Sequence, residues 1–185
     1  MSINPSDILK KAVSIQPNAW SKLTGEMPIR DVLNWIETGK YQSEINILRR
    51  YFESGDLDRY EMYKKRLPGV TFSATFKESR RRDNLKEYNE LLVIDIDNLD
   101  PHEMTRIRDL LFNDKYVLTF WISPSMRGIK GLIKLTYDFP VGMEESYSNH
   151  KFAFDKVRQY YSDTYNIELD KSGSDITSAP QTIIC

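Results

Sequence analysis

LLVIDID, at residues 91–97, is the stretch that decides the fold. Four apolar residues lead directly into two aspartates separated by one residue, a pattern typical of a buried β-strand that ends at a polar edge. Residues i and i+2 of a strand point to the same face, so Asp95 and Asp97 should stand side by side, about 6.5–7 Å apart along the backbone. The pattern therefore predicts a pair of neighbouring carboxylates at the end of a core strand.

Such a pair has two interpretations. Adjacent carboxylates repel each other unless one of them is protonated or a cation lies between them. Mg²⁺ and Mn²⁺ prefer oxygen ligands, so the strand end is a candidate site for a divalent cation. The alternative is that Asp97 and Asn98 only open a turn and that Asp95 is solvated. On the spacing alone the two interpretations carry equal weight, because short motifs often arise by chance.

The composition is that of a globular protein with an ordinary core. The chain has 185 residues, of which 40% are hydrophobic and 29% are charged, enough for one domain with a smaller extension. A net charge of −1 means that any site for a polyanion must come from local clustering. The single cysteine, Cys185, excludes an internal disulfide framework and fits a reducing compartment. With neither a secretory signal nor a membrane-spanning apolar run in the sequence, we expect a cytoplasmic protein without a membrane partner.

A break at Leu67-Pro68-Gly69 divides the chain into two predicted parts. Residues 1–66 show helical spacing of apolar residues and are predicted to form an N-terminal helical subdomain. Residues 67–185 are predicted to form an α+β core. In this core the patterns predict strands over 70–76, 90–97, 116–122, 129–137 and 165–169, and helices from Asp100-Pro101 to 112 and over 144–162.

Counted from the strand that carries Asp95, the order is β-α-β-β-α-β, the connectivity of ferredoxin-like or RNA-recognition-motif-like cores. In an ideal version of this fold we take the first and third strands to run parallel, which places Asp97 and Lys130 near opposite ends. Extension of either strand, or pairing with the strand over 70–76, would bring the two residues together. The strand order therefore stays open.

A second motif lies in the loop SPSMRGIK, at residues 123–130. Two hydroxyls, a glycine and the cations Arg127 and Lys130 are concentrated between two predicted strands. Backbone amides of such turns, together with lysine and arginine, bind phosphate groups well. The alternative is an ordinary β-turn with solvated charges.

Together, the two motifs resemble the catalytic core of the archaeo-eukaryotic primase superfamily, the primase–polymerases. These proteins carry an apolar strand ending in Asp-x-Asp, followed by a Ser-Pro-Ser-Gly-x-Gly-x-His loop and a further acidic residue. The chain also resembles the N-terminal domain attached to virulence-associated E (VirE) helicases. That group carries Leu-Pro-x-Val-Thr-Phe-Ser, matched by residues 67–73, and Asp-x-Ser-Gly-x-Asp-Ile, matched by residues 170–176. It also carries a lysine in place of the usual histidine, matched by Lys130. Met126 stands where relatives have glycine.

The resemblance implies that residues 67–185 are a primase–polymerase catalytic core performing template-directed nucleotidyl transfer with Mg²⁺ or Mn²⁺. It implies a DNA template and nucleoside triphosphates as partners, a helicase domain or protein as a further partner, and a role in replication of a mobile element. Asp95, Asp97 and Asp170 are the implied catalytic metal ligands, with Asp175 as the rival for the third position. The residues implied to bind the incoming nucleotide are Ser123, Ser125, Arg127, Gly128 and Lys130.

Two further functions stay open from the residues. One is a catalytically degenerate DNA-binding module, and the other is a metal-dependent nuclease, which also needs clustered carboxylates. The run Arg80-Arg81-Arg82 could bind template phosphates or could be a solvated loop. Trp121 is expected in the core, and the isolated His150 is given no role.

Overall fold

Three small antiparallel sheets and the helices packed on them make an α+β fold. The computed structural model describes residues 5–22 and 25–178. Its helices are α1 (Pro5–Ile8), α2 (Ile29–Glu37), α3 (Gln42–Glu53), α4 (Leu57–Lys64), α5 (Pro101–Asn113) and α6 (Ser146–Tyr165). Its strands are β1 (Ala12–Gln16), β2 (Gly25–Pro28), β3 (Gly69–Thr71), β4 (Ala74–Phe76), β5 (Leu85–Tyr88), β6 (Leu91–Ile96), β7 (Val117–Ile122) and β8 (Ile129–Lys134).

The central sheet has the strand order β6-β8-β7, with every pair antiparallel. The expected helix after β6 is confirmed: Asp100 caps α5 in a reciprocal capping box with Glu103, and Pro101 occupies the first turn. Both α5 and α6 pack on one face of the sheet, through apolar residues that alternate along β6 and β8. This cluster includes Leu92, Ile94, Ile107, Ile133, Phe154 and Tyr161.

The opposite face of the sheet is covered by the N-terminal part of the chain. Its buried residues Leu91, Val93, Leu132 and Trp121 share one hydrophobic cluster with residues of β1, α2 and α3. The expected burial of Trp121 is therefore confirmed, with 6% of the residue exposed. Asp95 and Lys130 belong to this face by strand alternation. The candidate site thus lies between the sheet and the N-terminal elements.

The N-terminal part differs from its prediction because two of its segments are strands. β1 pairs with β2 and also with β3, so Ser14 lies opposite Thr71. Helical spacing of apolar residues could not reveal this pairing, since the partner strand is more than fifty residues away. The helical character predicted for this part is found in α2, α3 and α4. The division into residues 1–66 and 67–185 stays a prediction, although the two parts share a sheet and a hydrophobic cluster.

The C-terminal strand predicted over 165–169 is not formed. α6 continues to Tyr165 and ends where Asn166 adopts a left-handed conformation with φ of 54°. The chain then runs beside β6 with Ile167 and Leu169 buried, and Asp170 N donates to Asp95 O at 2.9 Å. One backbone hydrogen bond does not make a ladder, but it brings the chain to the position that a fourth strand would occupy.

No helix within residues 5–22 and 25–178 has the length and apolar character needed to cross a bilayer.

Candidate active site

The antiparallel pairing of β6 with β8 brings the two sequence motifs together. Asp95 is directly opposite Lys130, and Lys130 is directly opposite Trp121 on β7. The assumption that the first and third strands run parallel is therefore wrong. Helix α5 connects β6 to β7 in a parallel crossover, and the hairpin between β7 and β8 then reverses the chain. Since β8 lies between β6 and β7, it is antiparallel to both, and the start of β8 meets the end of β6.

The centre of the site is a buried ion pair between these two strands. Asp95 and Lys130 are 6% and 7% exposed, and Lys130 Nζ donates to Asp95 Oδ2. The other oxygen, Asp95 Oδ1, is buried and has no hydrogen-bond partner among the described residues. Burial raises the pKa of the Asp95 carboxyl, Lys130 opposes that shift, and the charges of Asp97 and Asp170 add to it. The unpaired oxygen is thus a buried acceptor whose burial is costly without a donor or a cation.

Asp97 lies just beyond the end of β6 and is exposed to solvent. It is held against the loop at Gly128, where a Cβ atom would lie 2.8 Å from both Asp97 Oδ1 and Ile96 O. Real Cβ atoms do not approach that closely, so only glycine lets the loop pass here. Gly128 O accepts from Ser123 N at 2.8 Å, which closes the loop, and Met126 makes the turn with φ of 58°. A left-handed methionine is a strained substitute for the glycine of relatives.

The loop hydroxyls form a small network inside this turn. The Ser123 and Ser125 Oγ atoms are 3.0 Å apart, and Arg127 N donates to Ser125 Oγ at 3.3 Å. The Arg127 side chain is exposed, with its Nε 3.5 Å from Leu99 O. Ser123, Ser125, Arg127 and Gly128 therefore lie together in one turn, and Lys130 follows on β8 with its side chain buried.

Asp170 and Asp175 lie in different surroundings. Asp170 is joined to Asp95 by the backbone hydrogen bond described above, and its carboxylate accepts from Ser172 N at 2.8 Å. Hydrogen bonding to Ser172 lowers the pKa of Asp170, and the charge of Lys130 acts in the same direction. Asp175 instead accepts from Thr177 N and from the Thr177 hydroxyl, at 2.9 and 2.8 Å. Of the two acids, Asp170 is thus the one that the structure joins to Asp95, and its role as a third acid stays a prediction.

Within the part of the chain that the structure describes, no three His, Cys, Asp or Glu side chains are grouped closely enough to hold a metal ion. Asp170 approaches Asp95 through its backbone, while its carboxylate caps the 3₁₀ turn at Lys171–Ser174. That turn lies tightly against β6, because a Cβ atom at Gly173 would be 2.3 Å from Val93 O.

The arginines of the run at 80–82 have different environments. Arg80 is half-buried and donates to Thr177 O at 3.3 Å, and burial lowers its pKa. The Arg82 guanidinium lies 4.5 Å from the centre of the Tyr147 ring. Arg81 is exposed. Two of the three predicted template contacts therefore have partners within the fold, and the role of the run in template binding stays a prediction.

Three residues near the site make contacts that were not predicted from the sequence. His150 is fully buried; its Nε2 lies 2.9 Å from Gly173 O, and its Nδ1 lies 3.1 Å from the Tyr88 hydroxyl. Arg49 and Tyr60, from α3 and α4, reach the loop at 123–128. Nothing in the local sequence marks them, because each contact joins segments far apart in the chain.

Comparison with known proteins gives one family. The family model described as BT4734-like, N-terminal domain, matches residues 62–181, well over half of the chain. The match includes both motifs and the 3₁₀ turn, and it begins after Arg49 and Tyr60. No curated protein and no solved structure matches the chain.

Proposed function

Because the chain belongs to the family of BT4734-like N-terminal domains, we propose that it performs template-directed nucleotidyl transfer, as a primase or polymerase in the replication of a mobile element. The family is associated with VirE-like primase–polymerase proteins. The resemblance carried by residues 67–73, 91–97, 123–130 and 170–176 supports the same activity.

The observation that carries the proposal is the register between β6 and β8. It pairs Asp95 with Lys130 and presses Gly128 against Asp97, so that the carboxylate pair lies beside the candidate phosphate-binding loop. Nucleotidyl transfer needs these two functions side by side, since the triphosphate and the attacking hydroxyl meet at the same place. A solvated Asp-x-Asp would not be expected to have one member buried against a lysine.

The donor set suits a divalent cation. Asp95 Oδ1 is a buried carboxylate oxygen without a partner in the described residues, and Asp97 is an exposed carboxylate on the same side. Mg²⁺ is commonly bound by one or two carboxylates together with substrate phosphates and water, so a third protein acid is not essential. Asp95 and Asp97 would hold Mg²⁺ or Mn²⁺, with Asp170 as the further acid. When bound, such an ion supplies charge stabilisation to the triphosphate and the attacking oxygen.

The residues of the chain would divide the remaining tasks. Arg127, exposed at the tip of the loop, offers a forked donor for phosphate, and Ser125 offers a hydroxyl beside it. Lys130 would donate to the Asp95 carboxylate inside the core and oppose the rise that burial causes in the pKa of Asp95. The partners that we propose for this activity are a DNA template, nucleoside triphosphates and a helicase domain or protein.

One observation favours a second candidate, a DNA-binding module without catalysis. Lys130 Nζ occupies Asp95 Oδ2, which a metal ion would otherwise be free to use. If this ion pair persists in the presence of nucleotide and metal, the site would bind phosphates without activating a hydroxyl. The same experiment separates the two candidates.

The test is incorporation of nucleotides on a single-stranded DNA template, with and without a primer, in Mg²⁺ or Mn²⁺. The intact chain is compared with Asp97→Asn, which removes the charge and keeps the shape. Asp109→Asn is the matched control, because Asp109 is an exposed aspartate on α5 outside the site. We expect metal-dependent product from the intact chain and from Asp109→Asn, and a loss of about 100-fold or more in Asp97→Asn.

Other outcomes overturn the proposal in distinct ways. Template binding without product under either metal would leave the binding module as the function. Shortening of the primer in the absence of nucleotides, lost in Asp97→Asn, would identify a nuclease. Equal amounts of product from Asp97→Asn and the intact chain would show that the carboxylate pair is not needed for incorporation.

A further inference from the structure

The candidate nucleotide-binding loop is held from outside the central sheet. Arg49, on α3, is half-buried, and its Nε donates to Pro124 O at 3.3 Å. The two residues are 75 positions apart in the chain. A guanidinium presents its donors in a rigid plane, so this contact restrains the position of the Pro124 carbonyl. The carbonyl that it holds lies between Ser123 and Ser125, the two hydroxyl residues of the loop.

A second contact reaches the next residue of the loop from α4. Tyr60 is 7% exposed, and its ring lies 5.3 Å from that of Phe52, which fixes its direction. Burial raises the pKa of the Tyr60 hydroxyl, while Ser125 opposes that rise and the charge of Asp97 adds to it, so the hydroxyl lies near the loop. Ser125 in turn accepts from Arg127 N. The tyrosine therefore meets the loop at the residue that links its hydroxyls to its exposed cation.

The two helices are well placed to act as a rigid support. Asp56 caps the start of α4, and its side chain accepts from Arg59 N. Leu48 of α3 and Leu67 are buried with Tyr60 in one cluster. Two helices packed in this way move as a unit more readily than they deform. The conformation of the loop thus depends on contacts with the N-terminal helices as well as on its connection to β7 and β8.

We propose that α3 and α4 form part of the nucleotide site, with Arg49 and Tyr60 as positioning residues that hold the loop at Pro124 and Ser125 in its phosphate-binding conformation. Both residues precede residue 62, where the family match begins, so the family does not supply this role. The inference rests on the proposed function for the identity of the ligand, a nucleoside triphosphate. It adds that the N-terminal helices determine how tightly that ligand is bound.

The experiment measures nucleotide binding and incorporation separately, in the full chain. Arg49→Met removes the donor and keeps the apolar stem. Arg50→Met is its matched control, since the Nε of exposed Arg50 bonds Asn46 O within the same helix. Affinity is followed with a fluorescent nucleoside triphosphate in Mg²⁺, and KM and kcat are followed by primer extension. Loss of one hydrogen bond predicts a rise of about five- to tenfold in Kd and KM for Arg49→Met, with kcat nearly unchanged.

A second pair of variants tests the tyrosine. Tyr60→Phe removes only the hydroxyl, and Tyr63→Phe removes the hydroxyl of a half-buried ring on the same helix that packs against Tyr51 instead of the loop. Tyr60→Phe should raise KM by about threefold or more, and this effect should vanish in a Ser125→Ala background because the shared partner is gone. Arg49→Lys should restore part of the affinity lost in Arg49→Met.

The outcomes separate this inference from the proposed function. Incorporation that needs Asp97 but is affected equally by Arg49→Met and Arg50→Met overturns the positioning role alone. Nucleotide binding that depends on Arg49 and Tyr60, without incorporation under any metal, overturns the proposed function and supports the positioning role. A melting temperature lowered by Arg49→Met together with an unchanged Kd would reduce the contact to a structural one and overturn the inference.

Discussion

Asp95 is a carboxylate placed in the core of the protein and compensated by the ammonium of Lys130. Transfer of either charge from water to the interior is costly, and the pair is tolerated because each offsets the desolvation of the other. Such a pair stabilises the fold little relative to apolar residues of the same shape. Its presence at the meeting point of two motifs is therefore better explained by function than by stability.

The ion pair leads to a prediction about stability. Lys130→Met leaves Asp95 buried without its counter-ion and should reduce the free energy of unfolding at neutral pH by about 3–5 kcal/mol. The double variant Asp95→Asn/Lys130→Met removes both charges and should recover most of that loss. Urea denaturation of the two variants and the intact chain measures the difference. Losses that simply add in the double variant would contradict the pairing.

Gly128 provides a second prediction at this scale. Gly128→Ala places a methyl group 2.8 Å from Asp97 Oδ1 and from the backbone oxygen of Ile96, so the loop must move. Overpacking of this kind should cost about 1–3 kcal/mol of stability, and nucleotide incorporation should fall with it. Gly25→Ala is the control, because nothing lies within 4 Å of its added Cβ. Equal melting temperatures for the two variants would show that the loop can absorb the methyl group.

At the scale of elements, the 3₁₀ turn after Asp170 is held between β6 and α6. Gly173 lies against the backbone of β6, and Gly173 O is 2.9 Å from Nε2 of His150, a residue of α6. The Tyr88 hydroxyl is within hydrogen-bond distance of both His150 Nδ1 and the Tyr137 hydroxyl. This buried network fixes the turn, and with it the position of Asp170 beside Asp95.

The network predicts a pH dependence of stability. Burial lowers the pKa of His150, and the hydrogen bond with Gly173 O and the charge of Asp175 oppose that shift only in part. Unfolded histidine, with an ordinary pKa of about 6.5, therefore binds a proton more readily than the folded residue does. Stability should be complete above about pH 6.5 and should fall as the pH decreases toward the lowered folded pKa.

The measurement is the free energy of unfolding between about pH 5 and pH 8. His150→Gln should flatten the dependence within this window, while the control His102→Gln, at an exposed position, should retain it. If the free energy of unfolding changes with pH equally in His150→Gln and in the intact chain, groups other than His150 cause the dependence.

At the scale of the whole molecule, the central sheet is enclosed from both sides. Helices α5 and α6 cover one face, and β1, α2 and α3 cover the other. The site lies at the edge of the second interface, where Arg49 and Tyr60 meet the loop. The N-terminal elements thus contribute to the core and to the candidate site at once.

This arrangement predicts the behaviour of the fragment 67–185. Without residues 1–66, Leu91, Val93, Leu132 and Trp121 would lose the β1, α2 and α3 residues of their cluster and would keep only Val70 and Phe72 of β3 and the turn after it. Exposure of each such side chain costs about 1.5–3 kcal/mol, which together would exceed the stability of many domains. The fragment should aggregate or bind a hydrophobic dye, as measured by size-exclusion chromatography and dye fluorescence. A cooperative unfolding transition of the isolated fragment would instead support two independent domains.

The sequence by itself determined the elements whose signals are local. The apolar run of β6, the Asp100-Pro101 start of α5 and the hairpin loop at 123–128 were all predicted, because propensity, capping and turn residues act over a few positions. The α+β class followed from their order. The candidate residues were found for the same reason, since each motif is contiguous.

Only the tertiary structure decided which of these residues meet. The antiparallel register that pairs Asp95 with Lys130 and the pairing of β1 with β3 depend on contacts between distant segments. So do the burial of His150 and the approach of Arg49 to Pro124. Packing of two apolar faces selects such contacts from many that local preferences allow equally, so no stretch of sequence contains them. The candidate site residues could therefore be predicted from the sequence, but only the fold shows how they come together.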